Sequence, residues 1–313
     1  MAVLLSTFNG SRYLEEQLSS LSEQSYDDFT IYIRDDGSID NTLEIINDFI
    51  SRERNVVFIE SNDNLGAAGS FIYLINNVDA DYYFFCDQDD VWMPDKIAVT
   101  MQEMKKYSQD EPVLIHTDLM VVDSDLSTIS DSFYKYSNIS RDDFIEKKQL
   151  LIQNYIVGCT CCINKNLAVV ARVSLNDVNK IAMHDWWFAL HARFFGKIIY
   201  INRPTIKYRQ HQNNTLGAQK DSMFRYVKML KNNIGVKRVN KFREKIMVQS
   251  IFFEKRNNNK LSSKEKGYFN DLALLGKGHG FYDVLKFFFI KKNSMKSVKR
   301  NLAFIFSSFF YNK

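Results

Sequence analysis

The chain predicts an α/β fold, a sheet of mainly parallel strands with helices on both faces, followed by a basic helical appendage from about residue 221. Three observations carry that expectation. Short apolar runs alternate with stretches of helical period up to about residue 107, the rhythm of a parallel sheet joined by crossover helices. Polar loops rich in Asp, Asn, Gly and Ser follow the apolar runs, as they do at the functional edge of such a sheet. Charge is divided unevenly: residues 221–313 hold 21 Lys and Arg against 6 Asp and Glu, a net of +15, while residues 1–220 carry a net of −11.

In order, residues 2–6 read as a strand, and Tyr13, Leu14, Gln17, Leu18 and Leu21 fall at helical spacing behind the loop Asn9-Gly10-Ser11. Phe29 to Arg34 is a second strand ending at Asp35-Asp36-Gly37-Ser38, and Leu43, Ile45, Ile46, Phe49 and Ile50 make the next helix. Val56 to Glu60 gives a third strand, Gly69 to Val78 a third helix, and Asp81 to Cys86 a fourth strand. A helix from about Asp95 to Tyr107 comes next, then strands Val113 to Thr117 and Leu119 to Val122. A further half runs from about Leu150 to His211, and no internal repeat interrupts the order.

Three prolines and twelve glycines in 313 residues leave no room for a long flexible linker, so no large disordered stretch is expected. Cys86, Cys159, Cys161 and Cys162 sit in apolar, strand-like settings without zinc-module spacing, which reads as buried thiols in a reducing compartment. The start Met1-Ala2-Val3-Leu4-Leu5 lacks the basic segment and length of a secretory leader, so a cytoplasmic protein is expected. Near the C-terminus, Phe281, Tyr282, Leu285 and Phe287 to Ile290, then Leu302, Phe304 to Phe306, Phe309 and Phe310, bracket Lys291, Lys292, Lys296, Lys299 and Arg300. Neither apolar stretch reaches the roughly 20 residues that span a bilayer, which favours an interfacial hairpin on an anionic membrane. The alternative is packing of these aromatics onto the preceding domain or a sister subunit in a homodimer. An acidic body without a recognised motif argues against a nucleic-acid partner.

Asp87-Gln88-Asp89-Asp90 comes directly after the apolar run Tyr82 to Cys86. Carboxylates at the exit of a buried strand repel one another unless a cation holds them, and such hard ligands suit Mg or Mn shared with substrate phosphates. A solvated turn capping the helix after Pro94 is the competing reading.

Four strand exits agree with one another: Ser6-Thr7-Phe8-Asn9, Asp35-Asp36-Gly37-Ser38, Asn64-Leu65-Gly66 and the acidic cluster. Together they resemble the family 2 glycosyltransferases over residues 2–215. More closely, Ile33 to Ser38, Asp87 to Trp92, His184-Asp185-Trp186-Trp187 and Tyr208-Arg209-Gln210-His211 resemble rhamnosyltransferases of bacterial cell-wall polysaccharide assembly. The resemblance implies the GT-A nucleotide-diphospho-sugar transferase fold, a Rossmann-like mixed sheet flanked by helices, over residues 1–220. Its donor half covers about 1–120 and its acceptor half about 121–220. It also implies that Ser6, Thr7, Phe8, Asn9, Asp36 and Asp87 contact the nucleotide-sugar, that Asp89 and His211 hold Mn or Mg, and that Asp185 is the catalytic base. Asp90 supports the turn or caps the helix, and Arg209 pairs either with phosphate or with a carboxylate of the body. Asn154, His184, Trp186 and Trp187 are expected to bind the acceptor, the indoles against apolar sugar faces. Asp185 begins a helix, so a capping role competes with the catalytic one.

The implied reaction is a single, inverting displacement from a nucleotide-sugar, dTDP-rhamnose or a UDP-sugar, onto a polyisoprenoid-linked glycan at the inner face of the cell membrane. A binding protein that has lost catalysis is disfavoured, because the metal acids and Asp185 are all present.

Overall fold

The structure, a computed structural model, describes residues 1–61, 63–139, 146–211, 233–276, 281–290, 301–302 and 304–305. The chain divides into two compact units. The first comprises residues 1–137, 156–178 and 183–219; the second comprises 138–155, 179–182 and 220–313. Two short stretches expected within the first domain thus cluster with the C-terminal segment.

In the first unit the strands are β1 (Ala2–Thr7), β2 (Thr30–Asp35), β3 (Val56–Phe58), β4 (Tyr82–Cys86), β5 (Val91–Trp92), β6 (Val113–Val122), β7 (Thr128–Ser130), β8 (Cys161–Asn164) and β9 (Lys197–Arg209). They form one sheet in the order β3-β2-β1-β4-β8-β6-β9-β5, with β7 paired to β6. The β3, β2, β1 and β4 strands are mutually parallel, and β8 runs antiparallel between β4 and β6. Continuous apolar runs suit strands covered on both faces. Val3, Leu4, Leu5, Phe84, Phe85 and Cys86 are accordingly buried.

Helices α1 (Leu14–Ser22), α2 (Thr42–Arg52), α3 (Gly66–Asn77) and α4 (Lys96–Met104) connect and cover the first strands. Leu14, Leu18 and Leu21 of α1 join Val3, Leu5, Ile31 and Ile33 of the sheet in one apolar cluster, while Glu15 and Glu16 occupy its first turn, where acids complement the helix dipole. The expected helix at Gly69 starts three residues earlier. The Asp36 carboxylate on β2's exit accepts the Leu65 and Gly66 N–H groups at 2.7 and 2.8 Å, and Gly66 takes φ +68°, which glycine adopts without strain. Val113 to Val122 is one strand rather than two, with its register against β9 shifting at Asp118.

Short helices α5 (Phe133–Tyr136) and α7 (Lys165–Val170) and the longer α8 (His184–Phe195) complete this unit. Nine of the twelve residues of α8 are buried, so it sits inside the unit rather than on its surface.

The second unit holds the helices α6 (Lys147–Ile152), α9 (Asn233–Asn257), α10 (Ser263–Leu272) and α11 (Phe281–Leu285), and a π-helical turn Lys286–Ile290. Phe253 and Phe269 stack with centroids 6.0 Å apart, beside buried Ile246 and Leu272. A capping box between Ser262 and Glu265 opens its helix, and Lys147 reaches Glu265 at 2.5 Å. Phe287, Phe288, Phe304 and Ile305 are buried, whereas Tyr282, Phe289 and Leu302 are exposed by 82, 69 and 48%. Lys291, Lys292, Lys296, Lys299, Arg300, Phe306, Phe309 and Phe310 lie outside the described residues. No helix among the described residues is long and apolar enough to cross a membrane.

Candidate active site

Chain connections leave β1 toward β2 on one side and reach β4 on the other, so the crevice beyond the C-terminal ends of β1 and β4 is the sheet's switch point, where α/β folds bind ligands. Two polar networks build that crevice. The first joins the exits of β1 and β2. Thr7, buried, donates its hydroxyl to Asp35 at 2.8 Å, and Asp35 also accepts the Ser38 N–H at 2.7 Å and the Gly37 N–H at 3.1 Å. Asn9 sits at φ +47°; its N–H donates to Ser38 Oγ and its side-chain oxygen accepts the Ile39 N–H. These bonds fold the Asp35-to-Ser38 turn against the end of β1, leaving the Phe8 ring 47% exposed. Ser6, half-buried, lies opposite Arg34 in the β1–β2 register.

Arg34, absent from the expected site set, is the fully buried cation of this network. Its guanidinium pairs with Asp36 at 2.6 Å, bonds Ser70 Oγ, Ser61 Oγ and the Asp63 carbonyl, and lies over the Tyr73 ring. Taking such a charge from water is costly, and the cost is offset only when its N–H groups are bonded. Asp36 takes Arg34 and the Leu65 N–H on Oδ1 and the Gly66 N–H on Oδ2, which leaves one acceptor position on Oδ2 among the described residues. Arg34 interrupts an apolar strand just before two acids, and that is the signal by which the sequence marks it.

The second network holds the acids. Asp89 Oδ2 lies 2.8 Å from His211 Nε2, although the two residues are 122 positions apart. Arg209, 1% exposed, reaches back from the end of β9: its backbone N–H donates to Asp90 Oδ1, its Nε to the Asp89 carbonyl at 3.0 Å, and its remaining nitrogens to the Ser124 carbonyl and Glu16. Arg209 therefore pairs with a carboxylate of the body. Its guanidinium carbon stands 4.4 Å from the Tyr13 ring centroid, and Tyr13 also meets the His211 ring at 4.9 Å. Asp90 is buried beneath the cluster; burial first, then the fields of Asp89 and Asp87, pushes its carboxyl well above the ordinary range. Asp90 anchors β9 rather than capping α4, which begins after Asp95.

Asp87 shares a pocket with Asp90 and Cys159, their ligand atoms all within 4.8 Å. Burial, then Asp89 and Asp185, raises its pKa from 3.8 to about 7. Burial drives the Cys159 thiol well above its ordinary value, which keeps it protonated and leaves it a poor metal ligand. All four cysteines are buried and free. Asp185 occupies the first turn of α8, where it accepts the Trp186 N–H at 2.5 Å and a bond from the Gly158 backbone. Burial outweighs those bonds and lifts its pKa to about 7.

His184 is 4% exposed, 4.2 Å from the Phe71 ring and 5.1 Å from Phe85, with neither nitrogen bonded. Burial lowers its pKa to about 3, so the imidazole is neutral. A Cβ on Gly158 would stand 2.9 Å from His184 Nε2, so glycine there admits the ring. The two tryptophans depart from the expectation. Trp187 is wholly buried with its indole N–H on the Ala171 carbonyl at 2.7 Å, and Trp186 is 5% exposed. Neither presents a face to a sugar; both fasten α8 into the core. Asn154 belongs to the second unit.

The Glycosyl transferase family 2 profile matches residues 2–162, about half of the chain. The chain belongs to this family and is a glycosyltransferase. Among characterised relatives it is 31% identical over 288 residues to the dTDP-rhamnosyl transferase RfbG of Shigella flexneri, covering 86% of this chain and 91% of that one. Among solved structures, S. aureus TarS 1-349 in complex with UDP-GlcNAc shares the fold with a TM-score of 0.55 at 14% identity, over 99% of this chain and 90% of that one. The mannosyltransferase PcManGT from Pyrobaculum calidifontis, in complex with GDP-Man and Mn2+, aligns with a TM-score of 0.51 at 12% identity, over 93 and 87% of the two chains.

Raised carboxyl pKa values carry a stability consequence. Asp87 and Asp185 titrate near 7 when folded and near 3.8 when unfolded, so their contribution is fully present below about pH 4 and is lost as pH rises through 7. In the presence of EDTA, Tm falls between pH 6 and pH 8, and the fall is smaller in Asp185→Asn. Calorimetric melting across that range checks this, and equal falls in both proteins would remove Asp185 as a contributor.

Proposed function

We propose that this glycosyltransferase moves an L-rhamnosyl group from dTDP-rhamnose onto a hydroxyl of a polyisoprenoid-linked glycan, with inversion at the anomeric carbon. The observation that carries the reading is the meeting of Asp89 with His211 beside Asp87 and Asp185, in a chain 31% identical to a dTDP-rhamnosyl transferase. A carboxylate and an imidazole, two ligands with room for diphosphate oxygens, fit Mn or Mg. Bound there, the ion would neutralise charge on the departing nucleoside diphosphate.

The remaining work belongs to side chains. Phe8 offers an exposed ring on which the base stacks, and Asp36 Oδ2 has an acceptor position for a pyrimidine N–H. Ser6, Thr7 and Asn9 set that strand end, and Asp87 turns toward the ribose. Asp185 takes the proton from the acceptor hydroxyl as that oxygen attacks; a pKa of about 7 makes it a competent base near neutrality. His184, buried with unbonded nitrogens next to Asp185, gains a partner when an acceptor hydroxyl arrives. One carboxylate on one side of the sugar supports a single displacement, because retention requires a nucleophile on the opposite face.

Asp185→Asn is expected to keep donor affinity within about threefold and to lower turnover by on the order of a hundredfold or more. Turnover near that of the parent would take the base role from Asp185. Incubating the protein with dTDP-rhamnose and with UDP-hexoses, with Mn or Mg, separates the donors: only dTDP-rhamnose is expected to yield product, and NMR of that product to show an α-rhamnoside. Faster transfer from a UDP-hexose would reassign the donor; retained configuration would reject the displacement.

The lipid-linked acceptor implies contact with an anionic membrane surface. Exposed Tyr282, Phe289 and Leu302, in a segment of net charge +15, support that contact. Replacing Tyr282 and Phe289 with Ser should lower co-sedimentation with phosphatidylglycerol vesicles while leaving Tm unchanged; unaltered sedimentation would refute the surface.

A further inference from the structure

We propose that Gln88, between Asp87 and Asp89, is a positioning residue that fixes the nucleobase platform and couples it to the acids that face the diphosphate. The inference rests on the reading of Phe8 as that platform. Gln88 Oε1 accepts the Phe8 N–H at 2.8 Å and its Nε2 donates to the Phe8 carbonyl at 3.0 Å, across 80 positions of chain. One side-chain amide thus satisfies both backbone polar groups of Phe8.

A primary amide offers the same donor and acceptor pair as a peptide group. Paired residues in β1 and β4 end at Leu5 with Cys86, and Gln88 bonds the β1 chain three residues beyond that last pair. The Phe8 backbone is held while its ring stays 47% exposed. Glutamate at this position would set an acceptor against the Phe8 carbonyl and add charge beside Asp87 and Asp89. Asparagine would be one methylene shorter.

Gly10 supplies an independent mark of the same contact. A Cβ there would lie 2.2 Å from Gln88 Oε1 and 2.5 Å from its Cδ, so the amide keeps its place only while residue 10 is glycine. On the far side, the Asn9 N–H bonds Ser38 Oγ, so Phe8 is gripped from β4's exit and its successor from β2's exit. Because Asp87 and Asp89 are covalent neighbours of Gln88, a shift of those acids on binding a cation and diphosphate reaches the base platform directly.

Calorimetric titration of the full chain tests this with two probes, thymidine diphosphate and inorganic pyrophosphate, each with Mn. Two hydrogen bonds of ordinary net strength correspond to about tenfold in affinity. Gln88→Ala, the size-preserving Gln88→Met and Gly10→Ala are each expected to bind thymidine diphosphate about tenfold more weakly and pyrophosphate within about twofold of the parent. Adding Gln88→Ala to Phe8→Ala should cost nothing further, since the amide acts through Phe8. Parent-like nucleotide affinity in both Gln88 variants, with Phe8→Ala weakened, overturns the Gln88 inference and leaves the platform standing. Equal losses for nucleotide and pyrophosphate also overturn it, because Gln88 would then serve the acidic turn alone. Parent-like affinity in Phe8→Ala overturns the platform reading itself.

Discussion

Burial of carboxylates, compounded at Asp87 and Asp90 by repulsion between them and Asp89, is the constraint around which the crevice is arranged. Asp87, Asp89, Asp90 and Asp185 converge at one edge of a sheet whose interior is apolar, and a half-buried setting makes each added negative charge costly. The protein meets that cost in different ways. Asp90, its carboxyl pushed well above the ordinary range by burial, bonds the backbone of β9 from the core. Asp87 and Asp185 stand near the midpoint of their titration at neutral pH. Asp89 alone is set against an imidazole. Arg209 binds the carbonyl of Asp89 and the carboxylate of Glu16, so the guanidinium organises the acidic turn without pairing with the carboxylates of Asp87 or Asp89.

The opposite wall of the crevice uses a different device. Arg34 and Asp36 form a buried pair whose worth lies in geometry more than in net stability, because desolvation offsets much of the attraction between such charges. Their bonds tie the end of β2 to the Ser61 and Asp63 stretch and to the start of α3, so the exits of two strands, β2 and β3, are fixed to one guanidinium and one carboxylate. With Thr7, Asp35 and Ser38 closing the β1 side, the Phe8 backbone has little freedom left. Rigid placement of a single exposed ring is the outcome.

Much of this was legible in the sequence, and the parts that were not share a cause. Alternating strand and helix periods located β1 to β4 and α1 to α4, and acids at the strand exits marked the crevice, because local pattern and chemistry agree there. Pairing between distant strands leaves no local trace, so the antiparallel insertion of β8 was not readable, and the meeting of His211 with Asp89 was expected only from the family resemblance. Trp186 and Trp187 misled for a related reason. Adjacent aromatics beside a catalytic acid suggest a sugar platform, but α8 is buried almost all round, and nothing in its spacing marks an outward face. Gln88 carries a polar side chain that is a surface residue by default; only the Phe8 backbone groups that satisfy it reveal its place.

Burial of the two indoles bears directly on the base role proposed for Asp185. A general base must be held within a fraction of an ångström of its proton, and a residue in the first turn of a helix is as fixed as that helix. Trp187, bonded to the Ala171 carbonyl, and Trp186 anchor α8 immediately beyond Asp185. The same burial raises the Asp185 pKa toward neutrality, so one packing decision sets both the position of the carboxylate and its basicity. Indoles stacked on a sugar would have had to stay exposed and mobile until substrate came. Placed in the core, they give the start of α8 the rigidity that Arg34 gives the exit of β2 and Gln88 the exit of β1.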